Sequence, residues 1–187
     1  MEFIQIKELA VRQYNLDTDD LPDVEPDIAG YVNDGYNLVN LKYYKPWRKE
    51  EIMVEDNFIP FSTLSTKPIG LVRVPGAQSF GRFNEVDQQI DLFSTYKAPT
   101  LITVWYYYLP RPMEDDDEIP KVPEWVHPYI GDYATYLLYR NGNSSKQNRG
   151  QEFLARFLDA MRLLKPYGYN MLGQDRFHGL YTPNYMV

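Results

Sequence analysis

The chain has no cysteine, which excludes a disulfide scaffold, a thiolate metal site and a thiol nucleophile together. Histidine is nearly as scarce. Only His127 and His178 occur, neither has a second ligand-type residue at metal spacing, and His127 reads as structural or exposed. A Ser-His-Asp hydrolase needs one of these two as its base. The stretch Gly76-Ala77-Gln78-Ser79-Phe80-Gly81 is not the nucleophile elbow such an enzyme carries, and it reads as a loop. Residues 142–146 end in Lys146 but lack the glycine-rich pattern that cradles phosphate. Long hydrophobic runs are also missing: the strongest, 101–109, falls far short of the ~20 residues of a membrane helix. Residues 1–12 mix acids and bases, so no signal peptide is expected, and the protein is expected to be soluble. No enzyme activity, metal or cofactor is expected.

Two residue classes are abundant. There are 17 tyrosines among 187 residues, and tyrosine joins a large contact area to a polar tip, which suits interfaces as well as cores. Acids outnumber bases, for a formal charge of -7, but they are concentrated in two places. Asp17, Asp19, Asp20, Asp23, Glu25 and Asp27 form one group and residues 114–118 the other; these eleven set aside, 15 acids remain against 19 bases. Asp115, Asp116 and Asp117 suggest a hard-cation site by type. Read as an extended chain, however, they point in alternating directions with no neighbouring base, so this loop reads as solvated. Residues 17–23 lack the central glycine of a calcium-binding loop.

Periodicity supplies the elements. The most pronounced pattern is an αα-hairpin over 122–165. Trp125, Tyr129, Tyr133, Ala134, Leu137 and Leu138 recur at three-four spacing, and Phe153, Leu154, Phe157, Leu158, Met161 and Leu164 repeat it. Between them, Gly142 can end one helix and Ser144 or Ser145 cap the next. A first helix is expected over 3–14 and a second over about 24–44, ended by Pro46. From Ile52 the pattern changes to short alternating runs. Strands are expected at 52–55 and 58–61, as a hairpin about Asp56-Asn57, and then at 69–74, 80–86, 89–95 and 100–109. The fold class is therefore α+β: an antiparallel helical bundle of two N-terminal helices and the C-terminal hairpin, with a small inserted antiparallel sheet or sandwich and an extended tail. The expected divisions are 1–48, 49–112, 113–165 and 166–187.

That tail holds Tyr167, Tyr169, Met171, Leu172, Phe177, Leu180, Tyr181, Tyr185 and Met186, with one acid and one arginine. Disordered tails are poor in such residues, so it is expected to bind a partner. The aromatic strand Trp105-Tyr106-Tyr107-Tyr108 offers a different reading, a nucleic-acid-binding or processing protein with stacked bases. Alternation splits these rings between two faces, and the acids that follow repel a phosphate backbone.

Three stretches carry a resemblance. Val32-Asn33-Asp34-Gly35-Tyr36-Asn37 through Pro46-Trp47, Val122-Pro123-Glu124-Trp125-Val126-His127-Pro128-Tyr129-Ile130 with Asp132-Tyr133-Ala134, and Tyr167-Gly168-Tyr169-Asn170-Met171-Leu172 with Asp175, Phe177 and Gly179-Leu180 are together similar to the head-to-tail adaptors of tailed bacteriophages, the tail tubular protein A or gatekeeper family. The β region matches in position rather than in residues. The resemblance implies a virion neck protein, assembled in the host cytoplasm. It forms a ring, generally of twelve copies, beneath the portal protein, meets the tail tube or nozzle protein, and passes genomic DNA through its centre without sequence-specific binding. Tyr169, Asn170, Met171, Leu172 and Phe177 are the matched portal-binding positions, and Tyr167, Leu180, Tyr181 and Tyr185 share their segment. A lumen that passes DNA without retaining it should not be strongly basic, so Asp115, Asp116 and Asp117 are expected to line or rim the channel.

Overall fold

A computed structural model describes residues 1–15, 21–73, 81–92, 99–140 and 144–170. Among them the chain mixes four α-helices with two small antiparallel sheets. It divides into two compact units, one formed by Met1–Tyr44 with Pro112–Val187 and the other by Lys45–Arg111.

In the helical unit, α1 spans Phe3–Gln13 and α2 Leu21–Leu38, followed by a π-helical turn Val39–Tyr44. The second helix thus begins before the expected Val24 and does not stay α-helical to Tyr44. A physical reason lies in Asn40, whose side-chain amide donates to the Tyr36 carbonyl at 2.9 Å. That carbonyl is the one an α-helix would pair with the Asn40 N–H, so side chain and backbone compete for it. Helix α3 spans His127–Arg140, after a 3-10 turn Glu124–Val126, and α4 spans Ser144–Asn170. All four helices feed one core, with Phe3, Ile6, Val32, Ile130, Phe157 and Met161 among its fully or nearly fully buried members.

Helix α3 packs on α1, α2 and α4, so its buried surface wraps around it rather than forming one stripe. Ile130, Asp132, Ala134, Thr135 and Tyr139 are buried, whereas the expected Trp125 is 39% exposed, and on α4 Leu158 is also exposed. Two glycines set close approaches. A Cβ on Gly150 of α4 would sit 2.8 Å from Tyr139 Cβ on α3, and one on Gly131 of α3 would sit 3.1 Å from Leu9 Cδ2 on α1.

In the β unit, β1 (Trp47–Val54), β6 (Thr100–Tyr108) and β3 (Pro68–Arg73) form one sheet in the order β1-β6-β3. Strands β2 (Phe58–Pro60), β5 (Gln89–Asp91) and β4 (Arg82–Asn84) form the other, in the order β2-β5-β4. The hairpin expected about Asp56-Asn57 does not form. β1 pairs with β6 over eight residues and β2 with β5, so this turn carries the chain from one sheet to the other. The long β6 is the better partner because pairing along it puts Val54 on the same buried face as Ile102, Val104 and Tyr106, in a core shared with Ile59 and Ile90. A hairpin does form between β4 and β5, where Asn84 Oδ1 accepts from the Asp87 N–H at 3.2 Å and Gln88 takes a positive φ of 53°.

Candidate assembly site

The acidic loop comes to the start of α1. The first N–H groups of a helix have no partner within it. Here Phe3 N donates to the Glu118 carbonyl at 2.8 Å and Ile4 N to the Asp116 carbonyl at 3.1 Å. Negative charge is favoured at this end of a helix, and here the loop's backbone carbonyls supply the partial charge. The three aspartates are not extended as expected. Glu118 N closes a turn on the Asp115 carbonyl at 3.1 Å, and the Glu118 carboxylate accepts from the N–H groups of Glu114 and Asp115 at 2.6 and 3.1 Å.

Nor is the loop without a base. Lys7 Nζ, on a residue 2% exposed, meets Asp116 Oδ1 at 2.6 Å and lies 4.8 Å from the centre of the Phe3 ring. A buried ammonium requires such a partner. Asp116 therefore anchors the loop to α1 through one carboxylate oxygen, and its side chain, like those of Asp115 and Asp117, is exposed.

Of the tail positions, Tyr167, Tyr169 and Asn170 fall within α4, which continues past Pro166. The extended segment therefore does not begin at 166. Proline removes one N–H but its fixed φ suits a helix, and the backbone keeps its helical path to Asn170. Met171, Leu172, Phe177, Leu180, Tyr181 and Tyr185 lie outside the described residues, as do Gly142 and His178.

His127 is 2% exposed. Its Nδ1 lies 2.9 Å from the Met1 amino nitrogen and its Nε2 3.2 Å from the Val122 carbonyl. Burial lowers its pKa below the usual histidine range, against the opposing pull of the Val122 carbonyl. A neutral ring fits these contacts, with Nδ1 accepting from the amino group and Nε2–H donating to the carbonyl.

Two polar clusters escaped sequence reasoning. Asp132 of α3 is fully buried. Its Oδ1 accepts from Gln13 Nε2 of α1 at 2.8 Å and from Arg156 Nη2 of α4 at 3.1 Å, and its Oδ2 has no partner among the described residues. Thr135 extends the tie by donating to Gln13 Oε1 at 2.6 Å. Burial raises the Asp132 pKa, opposed by the Gln13 hydrogen bond and the Arg156 charge. A signal was present, since Asp132 is the one acid between His127 and Tyr139 in an otherwise apolar and aromatic run.

The second cluster lies in the β unit. Tyr106 is fully buried and its hydroxyl donates to Glu50 Oε1 at 2.5 Å. Ser65 donates to the same carboxylate from its hydroxyl and, at 3.1 Å, from its backbone N–H. Arg48 stands 3.7 Å away. Burial alone would raise the Glu50 pKa, but these hydrogen bonds and the Arg48 charge outweigh it, and the pKa is lowered.

On the aromatic strand, Trp105 stacks on Trp47 with ring centres 4.7 Å apart, and the Arg48 guanidinium lies 5.2 Å from the Tyr108 ring centre. Among the described residues no three His, Asp or Glu side chains converge as metal ligands, and no helix is long and apolar enough to cross a membrane. No protein-family model matches the chain, and no curated protein sequence matches it.

Proposed function

We propose that this chain is a head-to-tail adaptor of a tailed-phage virion. It would form a ring, generally of twelve copies, beneath the portal at the neck of the particle, and its role would be structural rather than catalytic. The observation that carries this reading is the division of labour along the chain. Residues from both ends share one helical core around α3, while 45–111 form a unit of their own between them. In this reading the four helices act as an antiparallel bundle and the β unit is an insertion that meets the tail tube or nozzle.

Helix α4 carries the backbone of Tyr167, Tyr169 and Asn170 to the start of the aromatic segment that follows. That segment, with Met171, Leu172, Phe177, Leu180, Tyr181 and Tyr185, is the portal-binding element, because burying large apolar side chains on a partner supplies the driving force for association. Asp115, Asp116 and Asp117 remain the residues proposed to face DNA in the channel, since the Asp116 side chain, although paired with Lys7, is still 59% exposed. The test is deletion of residues 171–187, which leaves α4 whole. Loss of binding to the portal with the helical unit still folded is expected; undiminished affinity would refute the assignment.

A further inference from the structure

Unfavourable features gather where α2 gives way to the π-helical turn Val39–Tyr44. A π-helix bonds each N–H to the carbonyl five residues back; it is rare, and as a single turn it recurs at functional sites. Asn40, inside this turn, is fully buried. Its amide donates to the Tyr36 carbonyl at 2.9 Å, but its Oδ1 has no partner among the described residues, and the buried Oδ1 of Asn37 has none either. A buried acceptor in this state has lost water and gained no donor, which destabilises the fold that holds it. Such an arrangement persists only where its surroundings impose it.

Here they impose it from one side. The turn packs on α4, Val39 and Asn40 are buried, and Tyr43 meets Phe157 of α4 edge-on with ring centres 6.4 Å apart. The other side is open, since Leu41 is 45% exposed and Lys42 is exposed beside it. Beyond Tyr44 come Lys45, at a φ of 46°, and Pro46. Proline disfavours the α conformation in the residue before it, so the helix ends here whichever way the turn is wound.

We infer that Val39–Tyr44 is a two-state turn, in which the π winding exchanges with an α winding that returns the Tyr36 carbonyl to the backbone and releases the Asn40 side chain. Each winding holds what the other lacks. The π state keeps the Asn40 amide bond and the seat of Tyr43 on Phe157, and it leaves the two carboxamide oxygens unpaired. The α state has the better backbone geometry and lets Asn40 swing toward the open side, where water satisfies it. Conversion also rotates Tyr43 about the helix axis and away from Phe157. The winding of the turn and the seating of α4 therefore bias each other.

The device is independent of the adaptor reading, because it needs only α2, the turn and α4. NMR relaxation dispersion on the full chain tests it. Exchange is expected at residues 39–45 and at Phe157, with a minor state of about 0.1–10%. In the major state the Tyr44 N–H bonds the Val39 carbonyl, five residues back, and in the minor state the Asn40 carbonyl, four back; a scalar coupling across the hydrogen bond tells them apart. Asn40→Leu keeps the side-chain shape and removes both the amide bond and the unpaired oxygen. It should make the α winding dominant, with the minor-state shifts of the parent and no remaining exchange. Deleting the exposed Lys42 takes out the one residue by which a π turn exceeds an α turn, and should fix the α winding by a separate route. Protection of α1 and α3 amides from hydrogen exchange reports that each variant is folded. Flat dispersion across 39–45 in the parent chain, or a folded variant of either kind that keeps the coupling from Tyr44 to Val39, would overturn the inference.

Discussion

Asp132 in the helical unit and Glu50 in the β unit are both carboxylates drawn out of water, and they end in different states. Asp132 is fully buried with one oxygen unpartnered among the described residues, and its pKa is raised. Glu50 keeps 17% of its side-chain exposure, accepts three hydrogen bonds from Ser65 and Tyr106, and has a lowered pKa. Burial dominates where donors are few, and donors dominate where they are supplied. The same contrast runs through the two units. The helical unit draws its core from both ends of the chain and relies on close backbone approach, while the β unit is contiguous and relies on side-chain pairing.

The largest effects should come from emptying each core. Phe157→Ala is expected to cost the helical unit about 3–5 kcal/mol and Ile90→Ala to cost the β unit about 2–5 kcal/mol. Hydrogen exchange followed by peptide should show protection lost first in the unit that was cut. Loss spread equally over both would break the comparison.

Glycine replacements sharpen it further. Gly150→Ala forces α4 away from α3 and should destabilise by about 1–3 kcal/mol. Gly30→Ala in α2 meets nothing within 4 Å among the described residues and should stabilise by about 1 kcal/mol. Urea midpoints that move in the same direction would contradict the close-approach argument.

In the β unit, Tyr106→Phe removes a hydrogen bond to Glu50 and should cost about 1 kcal/mol. It should also bring the Glu50 pKa back up, as read by carboxyl NMR titration.

The smallest effect is the pH dependence, where the two units should diverge. The raised Asp132 pKa means that its contribution to stability is fully present below the ordinary value of 3.8 and is lost as pH rises through the folded-state value. For Glu50 the contribution is present above its ordinary value of 4.5 and is lost as pH falls through the lowered one. Mild acid should therefore relieve the helical unit through Asp132, an effect absent in Asp132→Asn, and stronger acid should weaken the β unit through Glu50. Parallel exchange profiles at several pH values would reveal either trend or its absence.

Helices α1 and α4 and strand β6 were legible because their apolar spacing is strong and their buried faces are simple. The face of α3 was not, because three helices cover it and a contact from any of them can bury a polar residue such as Thr135. Asp56-Asn57 is a sound turn signal, but a turn does not say which strands it joins, and β6 competed successfully for β1. The role of the acidic loop was hidden by distance along the chain. Lys7 and Asp116 are 109 residues apart, and the carbonyls that cap α1 leave no trace in side-chain type. Charge alone pointed to a solvated rim, where the fold uses one of the aspartates as an anchor.

The proposed role, a structural ring component that joins a portal, is open to direct observation. Negative-stain imaging of the purified chain mixed with the portal of the same virus tests it most directly. The adaptor reading predicts an added ring of density on the tail-facing side of the portal, present with the full chain and missing when residues 171–187 are removed. Portal particles unchanged at saturating concentrations of the full chain would contradict it.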